Sequence, residues 1–234
     1  DLYEKVRDIA DRRWQRHFDN RLGLSAIQQS QFSTPSETLP VTEKLLDDRP
    51  EHRIPRHHFN EKAYQEDGFK LTVPQLRVNL GELHNLTIEK GTLSVEERFK
   101  VSEHVMMTLR MLEHLPFPQA YQKVATYAGT HHEKLDGSGY PRQLEASQLS
   151  IPERVMAIAD IFEALTAPDR PYKKANKLSE AIDILFKMCQ AGQLDQDLFT
   201  LLLTSGLYRH YAEHYLKPEQ IDDVDIDYYL NQLR

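Results

Sequence analysis

His131 and His132 stand side by side, followed by Glu133, Asp136 and a Gly137-Ser138-Gly139-Tyr140-Pro141 turn. Neutral imidazoles ligate borderline divalent metals, and carboxylates suit harder ones. The glycines and the proline bend the backbone back over whatever the histidines hold. On a regular helix the two histidines would diverge by about 100 degrees, so they reach one site only near a helix end. Other groups could join them. His104 lies among Val101, Val105, Thr108 and Leu112, a spacing that predicts an inward helical face. Asp160 lies in the apolar run 156–166, where a buried carboxylate is costly unless paired or metal-bound. Ala157, Ala159 and Ala164 predict close packing around it, and hence burial. Carboxylate plus imidazoles is a ligand set for iron, manganese or zinc. Arg170-Pro171-Tyr172-Lys173-Lys174, stiffened by Pro168 and Pro171, would hold cations preorganised for phosphate. Each reading has a plainer counterpart: a packed core histidine, two histidines on different faces, an aspartate facing water, and a solvated basic loop.

The elements that must position these groups read as helices. Residues 1–32 are charged, with Tyr3, Val6, Ile9, Ala10 and Trp14 forming a packing stripe. Residues 33–60 carry Pro35, Pro40, Pro50 and Pro55 and read as an irregular connector. The pair His57-His58 lies there without carboxylate neighbours and reads as surface. From Leu71 onward, Leu76, Leu80, Leu83 and Leu86 recur at helical steps. After the Gly91-Thr92-Leu93 turn, Ser94 and Glu97 form a capping box opening a helix that stops before Pro116. Further helices are predicted over 118–133 and 152–166, with Pro152 in the first turn. Ser179 is the expected cap of a helix ending near Gly192, and Asp195 of one ending near Gly206. Residues 200–203 and 208–215 extend this helical region. Strand signals are nearly absent, so the predicted class is all-α.

Composition narrows the setting. The 234 residues are 40% hydrophobic and 28% charged, which suits a soluble globular protein of one large or two small domains. No apolar stretch approaches ~18 residues, so no membrane span is expected. A lone cysteine, Cys189, excludes an intrachain disulfide framework and fits a reducing compartment. The net charge of -7 argues against binding a nucleic-acid polymer, though local cations or a metal could still hold a small phosphate ligand. Asp1 rather than methionine opens the sequence, which suggests a fragment.

Together these segments resemble the HD-GYP family of phosphodiesterases. The run His-His-Glu-x-x-Asp-Gly-Ser-Gly-Tyr-Pro at 131–141 is similar to that family's signature. Ala157-Ile158-Ala159-Asp160, Glu163-Ala164-Leu165-Thr166 and Asp169-Arg170-Pro171-Tyr172-Lys173 follow in its order. Lys90-Gly91-Thr92-Leu93-Ser94, with His104 beyond, matches the preceding block. The likeness covers about residues 86–200. It implies an HD-domain-like helical bundle at 86–234 with a two- or three-metal centre, and a helical, proline-rich extension or insertion at 1–85. The implied activity is hydrolysis of cyclic di-GMP, or of a related cyclic dinucleotide such as cyclic GMP-AMP, in bacterial second-messenger signalling. By position, His104, His131 and His132 resemble ligands to one metal and Asp160 a ligand to its neighbour. Asp160, His131 and His132 would then be the catalytic group. Arg170 and Lys173 resemble substrate-phosphate contacts, with Tyr140 at the pocket rim. The implied cofactors are divalent ions, iron or manganese first, with zinc, nickel or magnesium also in the family's range. The Gly139-Tyr140-Pro141 turn implies docking of a diguanylate cyclase (GGDEF) domain, and the implied location is cytoplasmic.

The chain departs from the pattern at one place. The family is named partly for an upstream His-Asp dyad whose aspartate bridges the metals. No adjacent His-Asp occurs here, and His17-Phe18-Asp19 is the nearest approach. Either the dyad lies before Asp1 or the lineage has lost it. Without it, the isolated chain is expected to be weak or inactive. The alternative function is an inactive module that senses a cyclic dinucleotide or docks a partner.

Overall fold

The computed structural model describes residues 2–30, 32, 37–57, 59–89, 91–167 and 175–233. The chain divides into two compact units, one of Asp1–Glu61 and Thr72–Val101, the other of Lys62–Leu71 and Ser102–Arg234.

The first unit is where helical periodicity misleads. Helix α1 covers Leu2–Ala10, but Trp14, expected on the same stripe, lies on strand β1, Arg13–Arg16. The predicted connector supplies β2, Val41–Lys44, which pairs antiparallel with β1, placing Trp14 opposite Glu43. It also supplies β3, Arg53–Pro55, paired antiparallel with β4, Leu76–Asn79. A one-turn helix α2, Ala26–Gln29, lies between β1 and β2, and α3, Glu61–Glu66, follows β3. Leu76, Leu80, Leu83 and Leu86 therefore share no helix. Leu76 is in β4, Leu80 is half exposed, and only Leu83 and Leu86 fall in the short helix α4, Glu82–Leu86. The interruption comes from a residue distant in sequence. Gly81 sits so close to Asp48 that a Cβ there would lie 2.3 Å from its Oδ1. That same oxygen accepts the His84 N–H and Asn79 Oδ1 accepts the Gly81 N–H, so α4 starts afresh. Arg16, 2% exposed, is the most deeply buried described charge of this unit. It donates to Glu43, Glu37 and the Phe18 carbonyl.

Helix α5, Val95–Glu113, belongs to the second unit from Ser102 on. Its capping box forms as expected: the Glu97 N–H donates to Ser94 Oγ and the Ser94 N–H to Glu97 Oε2. Its buried face is Val105, Met106 and Leu109, whereas Val101 is 54% exposed, so the predicted face was rotated. The single helix predicted over 118–133 is instead a 3-10 turn at Gln119–Tyr121 and a short α6, Val124–Gly129. Gly129 packs on Leu109 with no room for a Cβ. The helix ends there, and both histidines fall beyond it.

Helix α7, Ile151–Thr166, starts from the Ser150/Glu153 capping box with Pro152 in its first turn. Ala157, Ile158 and Phe162 face inward, while Ala159 and Ala164 are exposed, so the helix is not packed all round as its alanines predicted. Helix α8, Leu178–Gln190, is the central core element; Leu178, Ala181, Ile182, Leu185 and Cys189 are each 0% exposed. Fully burying one such aliphatic side chain stabilises by about 1.5–3 kcal/mol. Lys177, not Ser179, takes the N-cap position; the Ser179 N–H and hydroxyl instead donate to the Asp222 carboxylate. Asp195 caps α9, Gln196–Thr204, as expected, accepting from the Asp197 and Leu198 N–H groups. Gly206, in the left-handed region at φ 72°, turns the chain into α10, Leu207–Tyr215, and α11, Ile226–Gln232, closes the unit. The protein is mostly helical. Among the described residues no helix is long and apolar enough to cross a membrane.

Candidate metal centre

The end of α6 decides the geometry. Thr130 closes the helix by donating its hydroxyl to the Thr126 carbonyl, and the next two residues leave helical register. That lets adjacent side chains converge: the His131 and His132 rings lie 4.1 Å apart, centroid to centroid. His104 reaches them from α5, with centroids 5.3 Å from His132 and 6.1 Å from His131. One donor nitrogen from each of the three lies within 4.8 Å of the others. Two metal–nitrogen bonds of about 2.1 Å span at most ~4.2 Å, so small side-chain shifts would close the trio on one ion. The donor set is two half-buried imidazoles and His104, which is exposed rather than facing inward as its spacing predicted; it fits a borderline divalent metal with further coordination positions left open.

The ring nitrogens are oriented from behind. His131 Nδ1 is 2.7 Å from the Ala128 carbonyl, and His132 Nδ1 is 3.2 Å from Asp160 Oδ2. A carbonyl can only accept, so His131 carries its proton on Nδ1 and presents the Nε2 lone pair. Burial, with the neighbouring His132, pulls the His131 pKa below its ordinary value, which keeps the ring neutral and able to ligate. Asp160 is only partly buried, its side chain 33% exposed, rather than enclosed as predicted. The hydrogen bond to His132, with the nearby imidazoles, outweighs burial and holds its carboxyl below the usual carboxylate range. It stands beside the trio as the partner of His132.

Tyr140 lies over the same ring, centroids 4.8 Å apart and planes 37° from parallel. Its hydroxyl shares a hydrogen bond with the Ser102 side chain, and its pKa is raised, chiefly by burial. The structure therefore brings together His104, His131, His132, Asp160 and Tyr140. Arg170 and Lys173 lie outside the described residues, as do His58 and Lys90. In the turn itself Gly139 and Pro141 are buried; Asp136 and Ser138 are exposed.

Glu133 was not singled out in the sequence. It is 2% exposed and accepts the Arg142 N–H on Oε1 at 2.7 Å and the Leu144 N–H on Oε2 at 2.9 Å. The Gln143 N–H also bonds to it. Gln143 has φ 53°, a left-handed conformation costing a non-glycine residue about 1–2 kcal/mol. Successive N–H groups in such a turn form a concave nest for an anion, and the carboxylate fills it. Burial raises the Glu133 pKa, opposed by those three N–H bonds. Its one sequence signal was position: an acid directly after the histidine pair.

Comparison with known proteins places this geometry. The HD domain family matches residues 40–198. The chain is 35% identical over 131 residues to 3'3'-cGAMP-specific phosphodiesterase 1 of Vibrio cholerae, covering 55% of this chain and 30% of that protein. It is 36% identical over 102 residues to a cyclic di-GMP phosphodiesterase of Thermotoga maritima, covering 44% and 27%. A cyclic di-GMP phosphodiesterase of Pseudomonas aeruginosa is 39% identical over 119 residues, covering 50% and 28%. The chain thus spans less than a third of the length of each of these relatives. The match to more than half of the chain, with the blocks His131–Pro141 and Ala157–Asp160 inside it, makes this protein a member of the HD domain family, of the HD-GYP type.

Proposed function

We propose that this chain carries part of the active site of a metal-dependent phosphodiesterase acting on cyclic di-GMP or a related cyclic dinucleotide. The observation that carries the reading is the convergence of His104, His131 and His132. It is supported by relatives whose names specify these substrates. We take residues 86–234 as the HD-GYP-like domain and 1–85 as an extension or insertion.

His104, His131 and His132 would hold one divalent ion; the family resemblance puts iron or manganese first, while three imidazoles by themselves suit zinc, nickel or iron equally, and magnesium fits least. Such an ion supplies Lewis acidity and lowers the pKa of water. The residues do the rest. The Ala128 carbonyl and Asp160 orient two imidazoles, and Asp160's second oxygen is available for a neighbouring ion. Tyr140 walls the site and would offer its ring to a base of the dinucleotide. Arg170 and Lys173 would hold the phosphates. A GGDEF-domain protein remains the proposed partner at the turn, where Asp136, Ser138 and Tyr140 offer reachable side chains. The proposed location is cytoplasmic.

No adjacent His-Asp occurs in the 234 residues, and this favours the second reading, a cyclic dinucleotide-sensing or docking module without turnover. One experiment separates them. The purified chain is reconstituted with iron(II) or manganese(II), its metal content measured, and cyclic di-GMP and 3'3'-cGAMP hydrolysis followed by chromatography. One ion per chain with slow or no turnover is expected, and His131→Ala should abolish the ion. Rapid turnover would contradict the partial-site reading. Dinucleotide binding with no metal would favour the sensing module.

A further inference from the structure

The turn that carries Tyr140 wraps around one side chain. Residues 139–144 meet Glu133 at two places. A Cβ on Gly139 would lie 2.5 Å from the Glu133 Cα and 2.4 Å from the Lys134 nitrogen, so this backbone is seated directly on Glu133. Three residues on, the Glu133 carboxylate fills the nest of N–H groups at 142–144, including the left-handed Gln143. Tyr140 and Pro141 form the arch between these two anchors. The Tyr140 N–H donates to the His132 carbonyl at 3.1 Å, which fastens the arch to the histidine that Tyr140 covers.

We propose that Glu133 is a positioning residue. By holding the 142–144 nest it sets Tyr140 against His132, and through that contact it fixes the imidazole for ligation. The carboxylate is needed for its acceptors. It offers oxygens only, whereas an amide would turn an NH2 group toward N–H donors. Its buried place excludes water as a substitute acceptor, so the nest opens when the carboxylate is lost. Tyr140 then loses its seat, and His132 keeps its Asp160 hydrogen bond and its histidine neighbours but not the ring that covers it.

This deepens the metal-centre reading and rests on it for affinity alone; the ring contact is testable without metal. The chain is labelled with 13C at histidine Cε1, and the His132 resonance is assigned by its loss in His132→Asn. In the metal-free protein the Tyr140 ring displaces that resonance by its ring current. Glu133→Gln is expected to move it toward the position of an uncovered imidazole, and Tyr140→Ala to move it likewise. The double variant should match Tyr140→Ala alone. Cobalt(II) titrations of the folded proteins should show affinity weakened roughly 10- to 100-fold by Glu133→Gln, as for other residues that orient a ligand from behind. A role confined to stability would lower Tm and leave both signals unchanged, which overturns the proposal. Additive shifts in the double variant also overturn it. Should Glu133→Gln fail to fold, Tyr140→Ala decides: an unmoved His132 resonance refutes the contact. Wild-type chain that binds no cobalt would sink the metal-centre reading and leave the resonance test of Glu133 standing.

Discussion

Arg16 in the first unit and Leu185 in the second are both almost fully buried, at 2% and 0% exposure, but they stabilise by different means. Arg16 is held by two carboxylates and a carbonyl between short paired strands. Leu185 sits in a continuous hydrocarbon core with Ile182, Phe199, Leu203 and Ala212. Each hydrogen bond of Arg16 requires a partner at a set distance and angle, so the local fold depends on residues far apart in sequence, such as Glu37 and Glu43. A hydrocarbon core needs only apolar residues at the right helical spacing. This is why sequence periodicity read the second unit well and the first poorly. It also means the two regions should fail differently.

The largest loss should come from the hydrocarbon core. Phe199→Ala is expected to destabilise the second unit by about 3–5 kcal/mol, through lost transfer energy and a cavity. Urea unfolding followed by far-UV circular dichroism would measure it; a loss under about 1 kcal/mol would mean the core is not close-packed. Arg16→Ala should cost less, about 1–3 kcal/mol, because Glu43 keeps its ion pair with Arg49 at 2.7 Å. Trp14, the sole tryptophan of the chain, stands on β1 with Arg16 and reports this change by fluorescence. A Trp14 transition displaced as far by Phe199→Ala as by Arg16→Ala would erase the distinction between the two regions.

A smaller effect tests where charge matters within the second unit. Burial pushes the Asp195 carboxyl up, but Arg154 at 2.8 Å and the capping N–H groups outweigh it, leaving the pKa below the ordinary value. A depressed carboxylate stabilises fully above its unfolded pKa of about 4, and that contribution fades as pH falls through the lower folded value. Asn caps a helix as well as Asp, so Asp195→Asn removes mainly the Arg154 ion pair and should cost up to about 1 kcal/mol at neutral pH, with the gap from wild type closing in acid. A gap that widens in acid would reverse the assigned sign. The smallest perturbation needs no substitution. Cys189 is fully buried and its thiol is pushed up to about 12 by burial, so a thiol reagent should leave the folded protein unmodified and label it only on unfolding.

Much of the site was legible in particular residues. The Ser94/Glu97 box, Pro152 and Asp195 marked three helix starts, because a cap is a local hydrogen bond between residues a few positions apart. The pair His131-His132 with Gly139-Tyr140-Pro141 marked the candidate metal centre by residue type alone. Other readings failed where a distant partner intervened. Ser179 bonds Asp222 rather than capping its helix, and Asp48 restarts the chain at α4. The run of alanines around Asp160 predicted enclosure, yet small residues leave room whether a neighbour is present or not.

By itself the sequence determined the helical class, the family and the candidate donor residues, since these follow from residue type, local spacing and short-range caps. Tertiary structure alone decided which atoms meet. It ended α6 at Gly129, where the close-packed Leu109 admits only a glycine, and the chain beyond that end lets both histidines face one point. It paired Asp160 with His132 and seated Glu133 among the N–H groups at 142–144. Those contacts depend on packing between segments distant in the chain, and local spacing carries no record of that packing.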